Sequence, residues 1–419
     1  MTAWRRSAGL VLAGALAWAV TACTAEPPAP AMTPVPRVAV ALAVPDLAVL
    51  GEIVIGLLMP PLAGEGAEYR DAVEGAAVAA YRFGLGQTQV VFQVALDDGT
   101  AAGAVKALED LLARKAAGIV VASSGPHLDA MWQAAAVSDT AVIAPYDRPA
   151  GQFPGVWLTG PSQATVNTQL AAALAQAGAR RPFAVTAPGV RPVQLDQTVD
   201  AAWEDPALLA EQAVSALETG AADSIVVTAS AQQQGQLAAA IQGRLGDRQA
   251  PLFFSPEALT PVFAQILLQT GSVHGLFATV GPKSGDQMAL DGAAGRHTAA
   301  FFDALRLAAG NPASLNVFGD APFSSVAQTA DLPSHDAVVA LVRAAAAAGS
   351  TEAAAVKSAL AKSRLDGEDG LAGPPLDFSQ AAALAADSVV TLHASASDPG
   401  LRPAAADAAA TSLHWFTTG

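Results

Sequence analysis

Six histidines, His127, His274, His297, His335, His393 and His414, are spread along the chain, and none stands four residues from another, the spacing that brings two metal ligands to one helical face. No metal site and no cofactor is expected. Ser334-His335-Asp336 holds the residue types of a hydrolase triad. Consecutive residues on a helix point in different directions, so these three cannot form the hydrogen-bonded chain of nucleophile, base and orienting acid, and Ser334 is expected to be a helix N-cap. The nucleophile elbow G-x-S-x-G and the phosphate loop G-x-x-x-x-G-K-[ST] do not occur. A hydrolase working through Ser123 or Ser124 would need a base beside it, and the sequence nominates none. Asp97-Asp98-Gly99 offers two acids that a metal would accept, but a helix N-cap followed by a turn glycine explains them better.

Binding chemistry is better supplied than catalysis. Short apolar runs alternate with longer alanine-rich segments of helical spacing, the pattern of βαβ units and a parallel sheet. In such sheets ligands collect outside the carboxyl ends of the strands, where helix N-termini offer free N–H groups. Those ends carry Leu62-Ala63-Gly64-Glu65, Ser123-Ser124-Gly125 and Tyr146-Asp147-Arg148 in the first half of the chain. In the second half they carry Pro188-Gly189-Val190-Arg191, Ser230-Ala231-Gln232 and Ser255-Pro256-Glu257.

The elements that must position these loops follow from the same pattern. Strands are expected at Glu52 to Leu58, Gln89 to Leu96, Gly118 to Ala122 and Thr140 to Ala144, with helices over Tyr69 to Phe83, Ala101 to Arg114 and Leu128 to Val137. A second series has strands at Pro182 to Thr186, Ser224 to Thr228, Pro251 to Phe254 and Gly275 to Val280, and helices from Gln163, Pro206, Gln232 and Pro261. Between Thr186 and Trp203 there is room for a loop and a short strand. Late helices near Gly292 to Ala308, Ser334 to Ala348 and Thr351 to Ser363 precede a strand at Ser388 to His393. Crossover chirality folds such a chain into two doubly wound α/β lobes.

Composition narrows the classes further. With 52% hydrophobic residues in 419, the chain can bury enough apolar surface to fold, at a length that suits two domains. A net charge of −15 repels phosphate backbones, so no nucleic-acid partner is expected. Cys23, the single cysteine, rules out an internal disulfide or a multi-cysteine metal site. Arg5 and Arg6, the apolar run from Ala8 to Val20 and then Val20-Thr21-Ala22-Cys23 read as an export signal with a lipobox-like end. Cleavage before Cys23 and lipidation of its sulfur and new amino group are expected, with the proline-rich stretch that follows as a spacer.

Export signal, lipobox, Pro61-Leu62-Ala63-Gly64, Gly75-Ala76, Asp97-Asp98, Ser123-Ser124 and Ala144-Pro145 in this order resemble the leucine/isoleucine/valine-binding proteins of ABC transporters. Ser255-Pro256-Glu257, His335-Asp336-Ala337-Val338 and Gly373-Pro374-Pro375-Leu376-Asp377-Phe378 extend the resemblance to about residue 395. It implies a type I periplasmic-binding fold, two doubly wound parallel-sheet lobes with a ligand cleft between them, and a binder that is not an enzyme. The implied division is a signal peptide at 1–22, a lipidated stalk at 23–50, one lobe from 51–160 with 283–385, and another from 161–282 with 386–419. The implied site comprises Gly64, Glu65, Ser123, Ser124, Tyr146, Asp147, Arg148 and Glu257. Ser123 or Ser124 and the loop Tyr146 to Arg148 would hold a carboxylate, and Glu257 would face an ammonium. Arg148 either grips that carboxylate through two parallel bonds or fills the site itself. The implied partners are an amino-acid-like solute and ABC permease subunits, met outside the cell membrane, to which the chain is held through its lipid only. The alternative is a degenerate binding fold kept as an envelope scaffold or sensor.

Overall fold

The computed structural model describes residues 41–44, 47, 51–61, 66–270, 273–283, 285–403 and 413–417. The export signal, Cys23, Gly64 and Glu65 lie outside the described residues.

The first sheet contains β1 (Glu52–Met59), β2 (Gln89–Leu96), β3 (Gly118–Val121), β4 (Ala141–Ala144) and β5 (Val156–Leu158), all parallel in the spatial order β2-β1-β3-β4-β5. After Glu52, β1 is an unbroken apolar run, as a strand covered on both faces requires. Ile53, Ile55, Leu57 and Met59 enter one core while Leu58 enters the other. Helix α2 (Gly75–Leu85), preceded by the short α1 (Tyr69–Ala72), covers the first face, and α3 (Ala101–Ala113) and α4 (Asp129–Ala136) cover the second.

Two local expectations need correction here. The single helix expected over Tyr69 to Phe83 is broken, because the Ala72 carbonyl leaves the helical ladder to accept from Asp331 N at 3.1 Å and Ser334 Oγ at 3.3 Å. The N-cap of α3 is Thr100, whose side chain accepts from Gly103 N at 3.0 Å. Asp98 braces that cap by accepting from Thr100 N at 2.9 Å.

The second sheet holds β6 (Pro182–Thr186), β7 (Val199–Ala202), β8 (Ser224–Thr228), β9 (Leu252–Phe254) and β10 (Phe277–Pro282) as parallel strands. Helix α5 (Gln163–Gln176), capped by Ser162, packs Val166, Leu170 and Leu174 against Val226, Phe253 and Val280 on one face. On the other face α6 (Pro206–Glu218), α7 (Ala231–Leu245) and α8 (Pro261–Thr270) bury Leu209, Leu237, Ile241 and Phe263 against Phe183, Ile225 and Phe254.

After β10 the chain returns to the first sheet through α9 (Arg296–Gly310), α10 (Leu332–Ala348), α11 (Ala353–Leu360) and the hairpin β11 (Arg364–Leu365) with β12 (Leu376–Asp377). It then closes the second sheet with β13 (Val389–Ser395) and β14 (His414–Thr417), in the order β14-β13-β10-β9-β8-β6-β7. Both closing strands run antiparallel to their neighbours, so this sheet is mixed where a parallel one is expected. The reason is that β13 enters directly from the other lobe, without the helical crossover that a parallel strand needs.

Helix α10 is a core element of the first lobe, with Ala337 to Val342 buried beside β1 and β3. Its N-cap is Asp331, whose side chain accepts from Ser334 N at 3.0 Å, so the N-cap expected at Ser334 lies three residues too late. Pro333 inside the first turn costs nothing, since its missing N–H would have no helical partner. Asp336 accepts from Ala372 N and Gly373 N, both at 2.8 Å, and so fastens the turn before β12 to this helix. At the near end of the expected stalk, Val44 is only 3% exposed and belongs to the first core, while the Leu42 carbonyl accepts from Arg82 Nε.

Candidate functional site

The loops that leave the carboxyl ends of β1, β3 and β4 meet those that leave β6, β8 and β9 across the interlobe cleft. Each strand delivers its backbone at full extension and the next helix carries the chain away, which leaves the intervening few residues to face the other lobe.

Asp147, 1% exposed after β4, organises the first lobe's side of the cleft. It accepts from Ser124 Oγ and Gly125 N, each at 3.1 Å, and from Trp132 Nε1 at 2.8 Å. Arg191, from the loop after β6, adds Nε at 3.1 Å and a terminal nitrogen at 2.9 Å, and the same terminal nitrogen reaches Asp129 at 2.7 Å. Five donors fill the acceptor positions of one carboxylate. Burial opposes the Arg191 charge, but Asp147 and Asp129 more than offset it and raise its pKa above the ordinary arginine value.

The next residue makes a second interlobe tie. Arg148 donates to Glu257 Oε1 at 2.6 Å, with both side chains buried, and through Nε to Gln163 Oε1 at 3.1 Å. Burial again works against the guanidinium charge, and Glu257, Tyr69 and Asp147 outweigh it. A third tie runs from Ala231 N, at the start of α7, to Glu68 Oε1 at 3.2 Å. Burial pushes the Glu68 carboxyl up to about 7, against the pull of backbone donors that include Ala231 N–H and with a further push from Glu257.

Between these ties lies a cavity of about 300 Å³. The first lobe contributes Gly66, Glu68, Ser124 and Gly125 to its wall, and the second contributes Pro188 to Val190, Ser230, Gln232, Gln233 and Glu257. Its volume lies at the small end of the range for small-molecule sites. Gly66 has φ +74°, and a Cβ there would stand 2.5 Å from Ser123 Oγ and 2.9 Å from Ser124 N, so only glycine lets the turn after β1 approach the turn after β3 this closely.

Of the residues proposed from the sequence, Ser124 and Glu257 line this cavity from opposite lobes. Asp147 and Arg148 stand immediately behind the wall, engaged with Arg191 and Glu257. Tyr146 turns away: its hydroxyl donates to Asp331 Oδ2 at 2.8 Å and its ring stacks on Tyr69 with centroids 4.4 Å apart. Ser123 is fully buried, and its Oγ is 3.5 Å from His127 Nε2. A base therefore does stand beside Ser123, which the sequence did not nominate. The same nitrogen faces Asp97 Oδ2 at 3.5 Å, whereas in a catalytic relay the acid holds the other ring nitrogen. Gly64 and Glu65 lie outside the described residues.

Sequence reasoning missed Glu68 and Arg191 as site residues. Arg191 belongs to a strand-end loop that the pattern does mark. Glu68 precedes a helix, where an acid is ordinary, and nothing in the sequence signals its reach to Ala231. Among the described residues, no group of three or more His, Cys, Asp or Glu side chains is arranged to hold a metal ion.

No protein-family model and no curated protein sequence matches the chain. Solved structures do resemble it. The branched-chain amino acid transporter substrate-binding protein LivJ from Streptococcus pneumoniae, in complex with isoleucine, aligns with a TM-score of 0.58 at 16% identity, over 76% of this chain and 91% of that one. A type 1 periplasmic binding protein from Bordetella pertussis Tohama I aligns at 0.61 and 15% identity, covering 84% and 99% of the two chains. A fatty acid ABC transporter substrate-binding protein from Thermomonospora curvata aligns at 0.59 and 16% identity, covering 87% and 91%. Two α/β lobes, joined by repeated passages of the chain and facing each other through their strand-end loops, thus give this protein the type I periplasmic-binding fold.

Proposed function

We propose that the protein is an extracytoplasmic solute-binding protein of an ABC-type importer, lipid-anchored through Cys23, which captures a small polar solute between its lobes and delivers it to a membrane permease without transforming it. The observation that carries this reading is the cavity of about 300 Å³ whose wall is drawn from strand-end loops of both sheets. A cavity shared by two lobes couples occupancy to closure, because a solute that touches both walls stabilises only the closed form. Similarity of fold alone does not choose the solute. The test is the melting temperature of the full-length protein in mild detergent across a panel of amino acids, amines, organic acids and amides. At least one compact polar solute is expected to raise it in a saturable way, and silence across the whole panel contradicts the reading. The anchor is tested separately: Cys23→Ser is expected to move the protein from the membrane to the soluble fraction, and an unmodified Cys23 in the native protein contradicts it.

A second reading has its own observation. The Arg148–Glu257 pair joins the lobes with the chain's own charges, as an internal occupant of the cleft would. That favours an envelope scaffold or sensor that stays closed without a solute. The two readings divide on Arg148→Ala: the scaffold loses closure, whereas the solute-binding protein keeps a ligand-dependent rise in melting temperature.

A further inference from the structure

The solute-binding reading leaves the chemical class of the solute open, and the charges around the cavity narrow it. Two carboxylates line the wall, Glu257 at 3% and Glu68 at 7% exposure, and among the described residues no Lys or Arg does. Glu257 Oε1 accepts from Arg148, but its Oε2 is buried and has no hydrogen-bond partner among the described residues. A buried carboxylate oxygen without a donor is costly to maintain. Three backbone N–H groups of the cleft loops that would otherwise receive a solute's carboxylate are engaged within the chain. Gly125 N donates to Asp147, Ala231 N to Glu68 and Gln233 N to Ser230 Oγ. Both nearby arginines are directed at acids of this chain, Arg148 at Glu257 and Arg191 at Asp147 and Asp129.

We infer that the cavity selects a compact organic cation without a carboxylate, such as a small primary amine, in preference to a zwitterionic amino acid. An ammonium in the cavity stands between the side chains of Glu257 and Glu68, which line it from opposite lobes, and offsets their charge through charge-assisted contacts. A carboxylate in the same space meets two acids and, among the described residues, no Lys or Arg in the wall. The rise of the Glu68 pKa to about 7 is consistent with this, since a cation beside it restores the ionised form. The net charge of −15 draws cations toward the molecule.

Three solutes that share one carbon skeleton test the inference by calorimetry on the full-length protein: isoamylamine, leucine and isocaproate, which carry an ammonium, both charges and a carboxylate respectively. Isoamylamine is expected to bind at least about tenfold more tightly than leucine, and isocaproate not to bind. Glu68→Gln, which keeps an acceptor for Ala231 N–H, is expected to weaken amine binding by roughly tenfold without lowering the melting temperature of the unliganded protein. Leucine binding as tightly as the amine, failure of the amine to bind, or unchanged amine affinity in Glu68→Gln overturns the inference. The solute-binding reading survives each of these results unless the wider solute panel is silent as well.

Discussion

Asp147 gathers three donors from two segments of its own lobe and two more from Arg191 of the other, all within the buried wall behind the cavity. Its replacement by Ala leaves a buried guanidinium and several donors without an acceptor, and is expected to destabilise the protein by about 3 to 5 kcal/mol, read from the denaturant midpoint at constant slope. An unchanged midpoint would show that the hub is dispensable. Glu68 makes a prediction of opposite character. Its folded pKa of about 7 stands above the ordinary carboxyl value of 4.5, so the folded state holds the proton more tightly than the unfolded chain. That contribution to stability is complete below pH ~4.5 and is lost as pH rises through ~7, with a span on the order of 3 kcal/mol. Unfolding free energies of wild type and Glu68→Gln are expected to diverge across this window, wild type falling relative to the variant; parallel curves would contradict the shift. At this scale the sequence marked positions better than partners. Ser124, Asp147, Arg148 and Glu257 are legible because they follow strands, but the pairing of Arg148 with a residue 109 positions away depends on how two lobes meet. No local pattern encodes that. The same limit hid His127, whose approach to Ser123 depends on the short turn at Pro126–Leu128.

The contact of α2 with α10 ties the beginning of the chain to its late helices and completes one face of the first lobe. Gly75 opens α2 where the Asp331 carbonyl passes, and a Cβ at that position would stand 1.9 Å from the carbonyl oxygen. Gly75→Ala therefore forces backbone apart, with an expected cost of about 3 kcal/mol, and the thermal midpoint of the variant measures it. A neutral substitution would mean that the two helices are not held this closely. Elements with their own local signals were legible: α5 has Ser162 as its cap, and β6 and β8 are short apolar runs between helices. Elements stabilised by their surroundings were not. β5 is three residues long and is held between β4 and the segment at Ala381 to Ala383, while β14 pairs with β13 at the sheet edge. The break between α1 and α2 is likewise imposed by Asp331 and Ser334, more than 250 residues further on. Ser334 was misplaced as a cap because Asp331, three residues earlier, has the same capping chemistry and is followed by a proline that the first turn tolerates.

On the scale of the whole molecule, two sheets share one cleft, and Arg148–Glu257, Arg191–Asp147 and Ala231–Glu68 hold its sides together. The doubly wound architecture was legible from the alternation of strand and helix. The antiparallel closure of the second sheet was not, because it follows from the direction in which the chain re-enters that lobe. Opening the cleft separates buried charges from their partners, so a solute must supply interactions of its own to both walls if occupancy and closure are to be coupled. Calorimetric titration of the full-length protein with the solute that most raises its melting temperature tests this most directly, carried out on wild type and on Val190→Trp, which places an indole in the cavity wall. Binding of one solute per chain in wild type, abolished in Val190→Trp at an unchanged melting temperature of the unliganded protein, is the predicted result; equal binding by both proteins would contradict the assignment of the interlobe cavity as the site.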